Sequence, residues 1–140
     1  MSSPAYAMYA ASKPYFDLVR EALGDLVDGE HFFDVVADAV IYEVRYDFPG
    51  WPRVLNGRAA LMAQFSGYGD YITLRAADNL VVHKADEGQV VVIEYEVHGT
   101  VVATGADYDN RFASIIELKD RRISHWRDYV DSLAAWNALT

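Results

Sequence analysis

The apolar positions of the chain change period along its length. After Pro14, residues Phe16, Val19, Leu23 and Leu26 recur at near-helical spacing, and Pro14 suits a first helical turn. Asp28-Gly29 breaks that stripe, and Asp28 is placed to cap a second, short helix carrying Phe32, Phe33 and Val36. From Val40 to Asp47 the period falls to two. Val40, Tyr42, Val44 and Tyr46 then share one face, with Ile41, Glu43, Arg45 and Asp47 opposite. The segment FPGWPRVLNG reads as loop, and Asn56 as the N-cap of a third helix aligning Leu61, Phe65 and Tyr68. Beyond Gly69, strands are predicted near 71–77, 80–85, 89–102, 107–118 and 122–130. Turn signals separate the later ones at Asp86-Glu87-Gly88, Thr104-Gly105 and Lys119-Asp120. Asp131 or Ser132 caps a last helical turn or two through Trp136.

Helices first and antiparallel strands after predict an α+β domain, with three N-terminal helices on one face of a curved sheet. No repeat or linker divides the chain. Residues 1–13 read as an N-terminal arm, mobile at Met1–Ser12, and 14–140 as one domain.

Composition narrows the partners. At 140 residues and 52% hydrophobic, the chain has enough apolar matter for one core and one enclosed pocket. A net charge of −9 repels phosphate backbones and anionic lipid, so neither nucleic acid nor a membrane surface is expected. Cysteine is absent, which removes thiolate metal sites and cysteine nucleophiles together. The N-terminus has no basic segment followed by an apolar run, and a cytoplasmic protein is expected.

The strand faces place the chemistry. In 91–97, Val91, Ile93, Tyr95 and Val97 oppose Glu94, Glu96 and His98. In 108–118 the even positions run Tyr108, Asn110, Phe112, Ser114, Ile116 and Leu118. In 124–130 they run Ser124, Trp126, Asp128 and Val130. Five polar groups therefore fall on apolar faces: Tyr42, Tyr46, Tyr95, Asn110 and Asp128. One carboxyl among phenols and an amide, walled by aromatics, has the composition of a small-molecule site. Desolvation raises the pKa of such an acid, which suits it to shuttle a proton, while phenol and amide donors hold a developing oxyanion. Tyr42, Tyr95 and Asn110 join Asp128 as catalytic candidates. Val44, Tyr46, Phe65, Tyr68, Val97, Phe112 and Trp126 are the expected lining.

Each candidate has a plain structural alternative. Buried tyrosines, an amide or an acid can simply be hydrogen-bonded within a core. His31, His83, His98 and His125 show no metal-ligand spacing on a common face, and neither a metal nor a cofactor is expected. Glu43, Arg45, Glu94, Glu96, Arg111 and Arg127 read as cross-strand pairs on an outer surface, where two subunits could also meet.

The run Tyr108-Asp109-Asn110-Arg111-Phe112, followed by Ile123-Ser124-His125-Trp126-Arg127-Asp128-Tyr129-Val130-Asp131, resembles SnoaL-like proteins. Upstream, Val36-Ala37-Asp38-Ala39-Val40-Ile41-Tyr42-Glu43 and Asn56-Gly57-Arg58-Ala59-Ala60 are similar to the same group, which extends the resemblance over about residues 14 to 136. The resemblance implies the cone-shaped nuclear-transport-factor-2-like fold, a homodimer, and an apolar pocket between helices and sheet. Its relatives include ketosteroid isomerases, limonene-epoxide hydrolases, polyketide cyclases and phenazine-biosynthesis proteins. Asp128 matches the acid of the epoxide-hydrolase and phenazine groups, and Tyr42 an epoxide-hydrolase pocket tyrosine. This chain has Tyr95-Glu96-Val97 where the hydrolases carry Arg-x-Asp, and Val44 where the isomerases carry their catalytic Asp. No tyrosine of the first helix is assigned to the isomerase oxyanion position. The expected activity is cofactor-independent isomerisation, cyclisation or dehydration of a small apolar molecule. The alternative is a non-catalytic binding protein.

Overall fold

The computed structural model describes residues 4–140, with side chains from Tyr6 onward. The predicted mobility of Met1–Ser3 lies outside the described residues. Its three α-helices are α1 (Lys13–Leu23), α2 (Arg58–Tyr68) and α3 (Ser132–Leu139). The strands are β1 (Val36–Val44), β2 (Val54–Asn56), β3 (Ile72–Ala85), β4 (Val90–Val101), β5 (Asp107–Lys119) and β6 (Arg122–Val130). They form one curved sheet in the order β2-β1-β6-β5-β4-β3. Only β1 and β6 run parallel; the remaining neighbours are antiparallel. An α+β domain results, as the pattern predicts.

Helix α1 buries Tyr15, Phe16, Leu18, Val19, Ala22 and Leu23 against the sheet. Gly24 ends it at a positive φ of 53°, so Leu26 falls in a following 3-10 turn and not in the helix. The second predicted helix contracts to one 3-10 turn, Phe32–Asp34, capped by His31 and not by Asp28. The His31 ring accepts from the Phe33 amide at 3.1 Å, and Asp34 accepts from the His31 amide at 3.1 Å. Asp28 instead pairs with Arg121 at 2.9 Å. The turn cannot lengthen because β1 already begins at Val36.

The proline-rich loop contains a strand that its composition hides. Val54–Asn56 pairs with β1, setting Leu55 opposite Tyr42. Gly57, at φ 93°, then takes the cap position that the sequence assigns to Asn56. The two strands predicted at 71–77 and 80–85 are one. Asn79 adopts a left-handed φ of 53°, and the pairing register shifts between Asp78 and Val81, so a polar bulge stands where the two predicted strands are separated. At the C-terminus Asp131 is the cap, accepting from the Ala134 amide at 3.1 Å, and the helix continues to Leu139.

The N-terminal segment is tied to the body from Tyr6 on. Tyr6 donates to Asp34 at 2.6 Å and accepts from Arg58 at 3.1 Å, while Tyr9 and Ser12 are buried. Met8 is 65% exposed.

One close approach yields a stability prediction. A Cβ at Gly99 in β4 would sit 2.5 Å from the Thr73 carbonyl oxygen and 3.1 Å from Leu74 Cα, both backbone. Gly99→Ala must push β3 away and is expected to destabilise by about 1–3 kcal/mol. Urea unfolding measures it; a loss below a few tenths of a kcal/mol would show that β3 gives way freely.

Candidate active site

A cavity of about 710 Å³ opens between the helices and the sheet. Its deep wall is built from Tyr15 of α1, Tyr42 of β1, Phe112 of β5 and Asp128 of β6. Phe65 and Tyr68 of α2 and Val97 of β4 close the flanks, with Tyr46 from the segment after β1. The mouth is aromatic too, with Phe48 and Trp51 of the loop facing Trp136 of α3. Phe48 and Trp136 meet edge to face, their centroids 5.9 Å apart.

Asp128 is 3% exposed and sits on the inward side of β6 by simple alternation from Trp126. Its Oδ1 accepts from Ser114 Oγ at 2.6 Å and from Trp126 Nε1 at 3.2 Å. Its Oδ2 has a single, long contact from the Tyr42 hydroxyl at 3.4 Å. Burial pushes the carboxyl up to about 6, against the pull of the Ser114, Trp126 and Tyr42 donors. At pH 7 the ionised form predominates. Burial likewise pushes the phenols of Tyr15, Tyr42, Tyr46, Tyr68 and Tyr95 up, so they are neutral donors at that pH. Among the described residues no Lys, Arg or His lines the cavity, and Asp70 is a second acid there.

Four expected site residues lie behind the wall. Tyr95 stacks on Phe112 with centroids 5.2 Å apart, and its hydroxyl meets Ser114 at 3.1 Å. The Asn110 amide donates to the Tyr108 hydroxyl at 2.7 Å and accepts from the Arg111 amide, which leaves it satisfied beside the cavity, not in it. Trp126 is fully buried, stacked between Tyr42 and Phe32 at 5.7 Å from each. Val44 is buried opposite Asp128 in the β1–β6 register and does not line the cavity.

Three groups escaped sequence reasoning. Tyr15 of α1, absent from the expected lining, borders the cavity. It is 5% exposed, and its hydroxyl has no hydrogen-bond partner among the described residues. The Tyr42 and Tyr95 hydroxyls lie near enough to interact with it, so its hydrogen can turn to them or to a ligand. The helical stripe Tyr15, Val19, Ala22 carried the signal. Ser114 and Tyr108 were visible as polar atoms on the apolar face of β5, by the same test that found Asn110.

Three of the four histidines turn outward, while His31 caps its 3-10 turn and stacks on Tyr6. His83 meets Glu94, His98 bridges Asp78 and Asp109, and His125 meets Glu43, in each case across strands. Among the described residues no group of three or more His, Asp or Glu is arranged to hold a metal ion. No helix among them is long and apolar enough to cross a membrane.

A curved mixed sheet wrapped over helices, with one aromatic cavity and a buried acid, defines a nuclear-transport-factor-2-like domain. Within that class the chain belongs to the SnoaL-like domain family, which it matches over residues 19–126. It is 30% identical over 99 residues to the uncharacterized protein YesE of Bacillus subtilis, a match taking in 71% of this chain and 63% of YesE's length. A Bacillus subtilis protein provisionally assigned as an isomerase has a similar structure, with 24% identity and a TM-score of 0.73. That likeness covers 93% of this chain and 91% of the other. A Pseudomonas putida KT2440 protein provisionally assigned as a polyketide cyclase superposes with a TM-score of 0.69 at 15% identity, covering 99% of this chain and all of its own. At these identities the two structures share the fold.

Proposed function

We propose that this protein is a cofactor-independent enzyme of isomerase or cyclase type, acting on a small, largely apolar molecule with Asp128 as general acid–base. The observation that carries the reading is the state of Asp128 Oδ2. It belongs to a buried carboxyl in the cavity wall and has one long contact, from Tyr42, while Tyr15 of the same wall has a hydroxyl with no hydrogen-bond partner among the described residues. The likeness to proteins assigned as isomerase and cyclase supports the same class of chemistry.

The ionised carboxyl takes a proton from a C–H beside a carbonyl; the C–H electron pair forms the enolate C=C bond, and the carbonyl π pair moves onto oxygen. Tyr15 and Tyr42 donate to that oxygen as its charge develops, and Asp128 returns the proton at the same or a neighbouring carbon. A wall without a cation disfavours anionic substrates, since a second buried negative charge would have no partner.

The test is deuterium uptake from D₂O into a panel of uncharged cyclic ketones, followed by NMR. The active form is the ionised one, so exchange should rise with pH through about 6 and level off above it. A flat profile, or no protein-dependent exchange across the panel, removes the catalytic reading. Ketone binding without exchange would identify a carrier instead.

A further inference from the structure

Strand β5 brings a second hydroxyl beneath the carboxyl. Ser114 is fully buried and donates to Oδ1 of Asp128 at 2.6 Å. Behind it the Tyr95 hydroxyl lies 3.1 Å from the same Oγ. A serine hydroxyl carries one hydrogen, and an ionised carboxylate carries none. The Ser114 hydrogen therefore goes to Asp128, which makes Tyr95 the donor to Ser114. Donation runs one way, from Tyr95 through Ser114 to Oδ1. Trp126 adds a second donor to the same oxygen.

We propose that Ser114, polarised by Tyr95, is a positioning residue that pins Oδ1 of Asp128 and leaves Oδ2 as the oxygen that exchanges protons with the ligand. The proposal rests on the acid–base reading above and deepens it, by assigning the two carboxyl oxygens different work. A donor chain in a dry interior strengthens each of its members, so Tyr95 acts on the carboxyl without touching it.

The surroundings make the claim measurable. Tyr15 from α1, Tyr42 and Tyr46 from β1 and the segment after it, Tyr68 from α2 and Tyr95 from β4 face the carboxyl, with Tyr108 from β5. Burial pushes every one of these phenols up, and Asp70 is the other carboxylate of the wall. Asp128 is accordingly the buried group of this cluster that titrates near neutrality.

The experiment is a carbon-13 NMR titration of the Asp128 carboxyl in the full, ligand-free chain. It compares the unmodified protein with Ser114→Ala, Tyr95→Phe and the double variant. Ser114 donates more strongly to the ionised carboxyl than to the neutral one, so Ser114→Ala should raise the midpoint by about 1–2 pH units. Tyr95→Phe should raise it less. The double variant should match Ser114→Ala alone, because Tyr95 works through Ser114. A purely structural serine would change stability and leave the midpoint in place. An unmoved midpoint in Ser114→Ala, or additive effects in the double variant, overturns the proposal even where ketone exchange is established. Shifted midpoints without any exchange count against the acid–base reading and leave the pinning of Oδ1 standing. Should Ser114→Ala not fold, Tyr95→Phe alone decides, since it removes one oxygen from beneath the carboxyl.

Discussion

Asp128→Asn is expected to lower turnover by about 10²–10⁴-fold without loss of the fold. An asparagine keeps the shape of the side chain. Its carbonyl can accept from Ser114 and Trp126 as Oδ1 does, and its amide nitrogen takes the place of Oδ2 and donates toward Tyr42. What disappears is the capacity to take a proton. Stability should move the other way. The native carboxyl binds its proton more tightly than an unfolded one, about 6 against an ordinary 3.8. This group therefore lowers stability progressively as pH rises from about 4 to about 6, and the cost persists above that. The cost is about 3 kcal/mol at most, and the asparagine variant does not carry it. At pH 7.5 the variant should be at least as stable as the unmodified protein, and the gap should narrow below pH 4. Urea unfolding at both pH values, beside the exchange assay, checks the pair of claims. A variant that loses activity and several kcal/mol together would make Asp128 a structural acid.

Trp126→Ala should have the largest effect on stability, about 3–5 kcal/mol. The indole is fully buried and stacks on both Tyr42 and Phe32, so its removal leaves a void that two rings on different elements cannot both fill. It also takes one of the two donors from Asp128 Oδ1. Trp126→Phe separates the contributions, because it keeps most of the ring contact and loses the donor. It should cost about 1–2 kcal/mol and raise the Asp128 midpoint. Equilibrium unfolding gives the first quantity and the carboxyl titration the second. A loss under about 1 kcal/mol for the alanine variant would mean that the wall collapses readily into the gap.

Strands β4, β5 and β6 were readable because a period of two maps directly onto a face. Val91 to Val97 point inward at the odd positions, and that arithmetic also put Asp128 inside. The first and last helices followed from Pro14 and Asp131, which act on their own neighbours. Errors arose where a distant strand decided. Three residues of loop became β2 because the β1 edge was open beside them. A break at Asn79 became a bulge because β4 continues unbroken on the other side. Tyr95 and Asn110 were correctly placed on the inner face, yet a face is thicker than a wall. Phe112 stands in front of one, and the other spends its amide on Tyr108.

From order and alternation alone, the chain determined an α+β domain, the inward side of each long strand, and the single acid at position 128. Those are local properties, set by backbone periodicity and by caps that reach a few residues. Only the tertiary structure decided that Tyr15 of α1 would line one cavity with Tyr42, 27 positions on, and that Ser114, 14 residues before Asp128, would take one of its two oxygens. Which inward side chain borders the cavity, and which lies behind another, depends on packing between elements far apart in the chain. No period in the sequence records it.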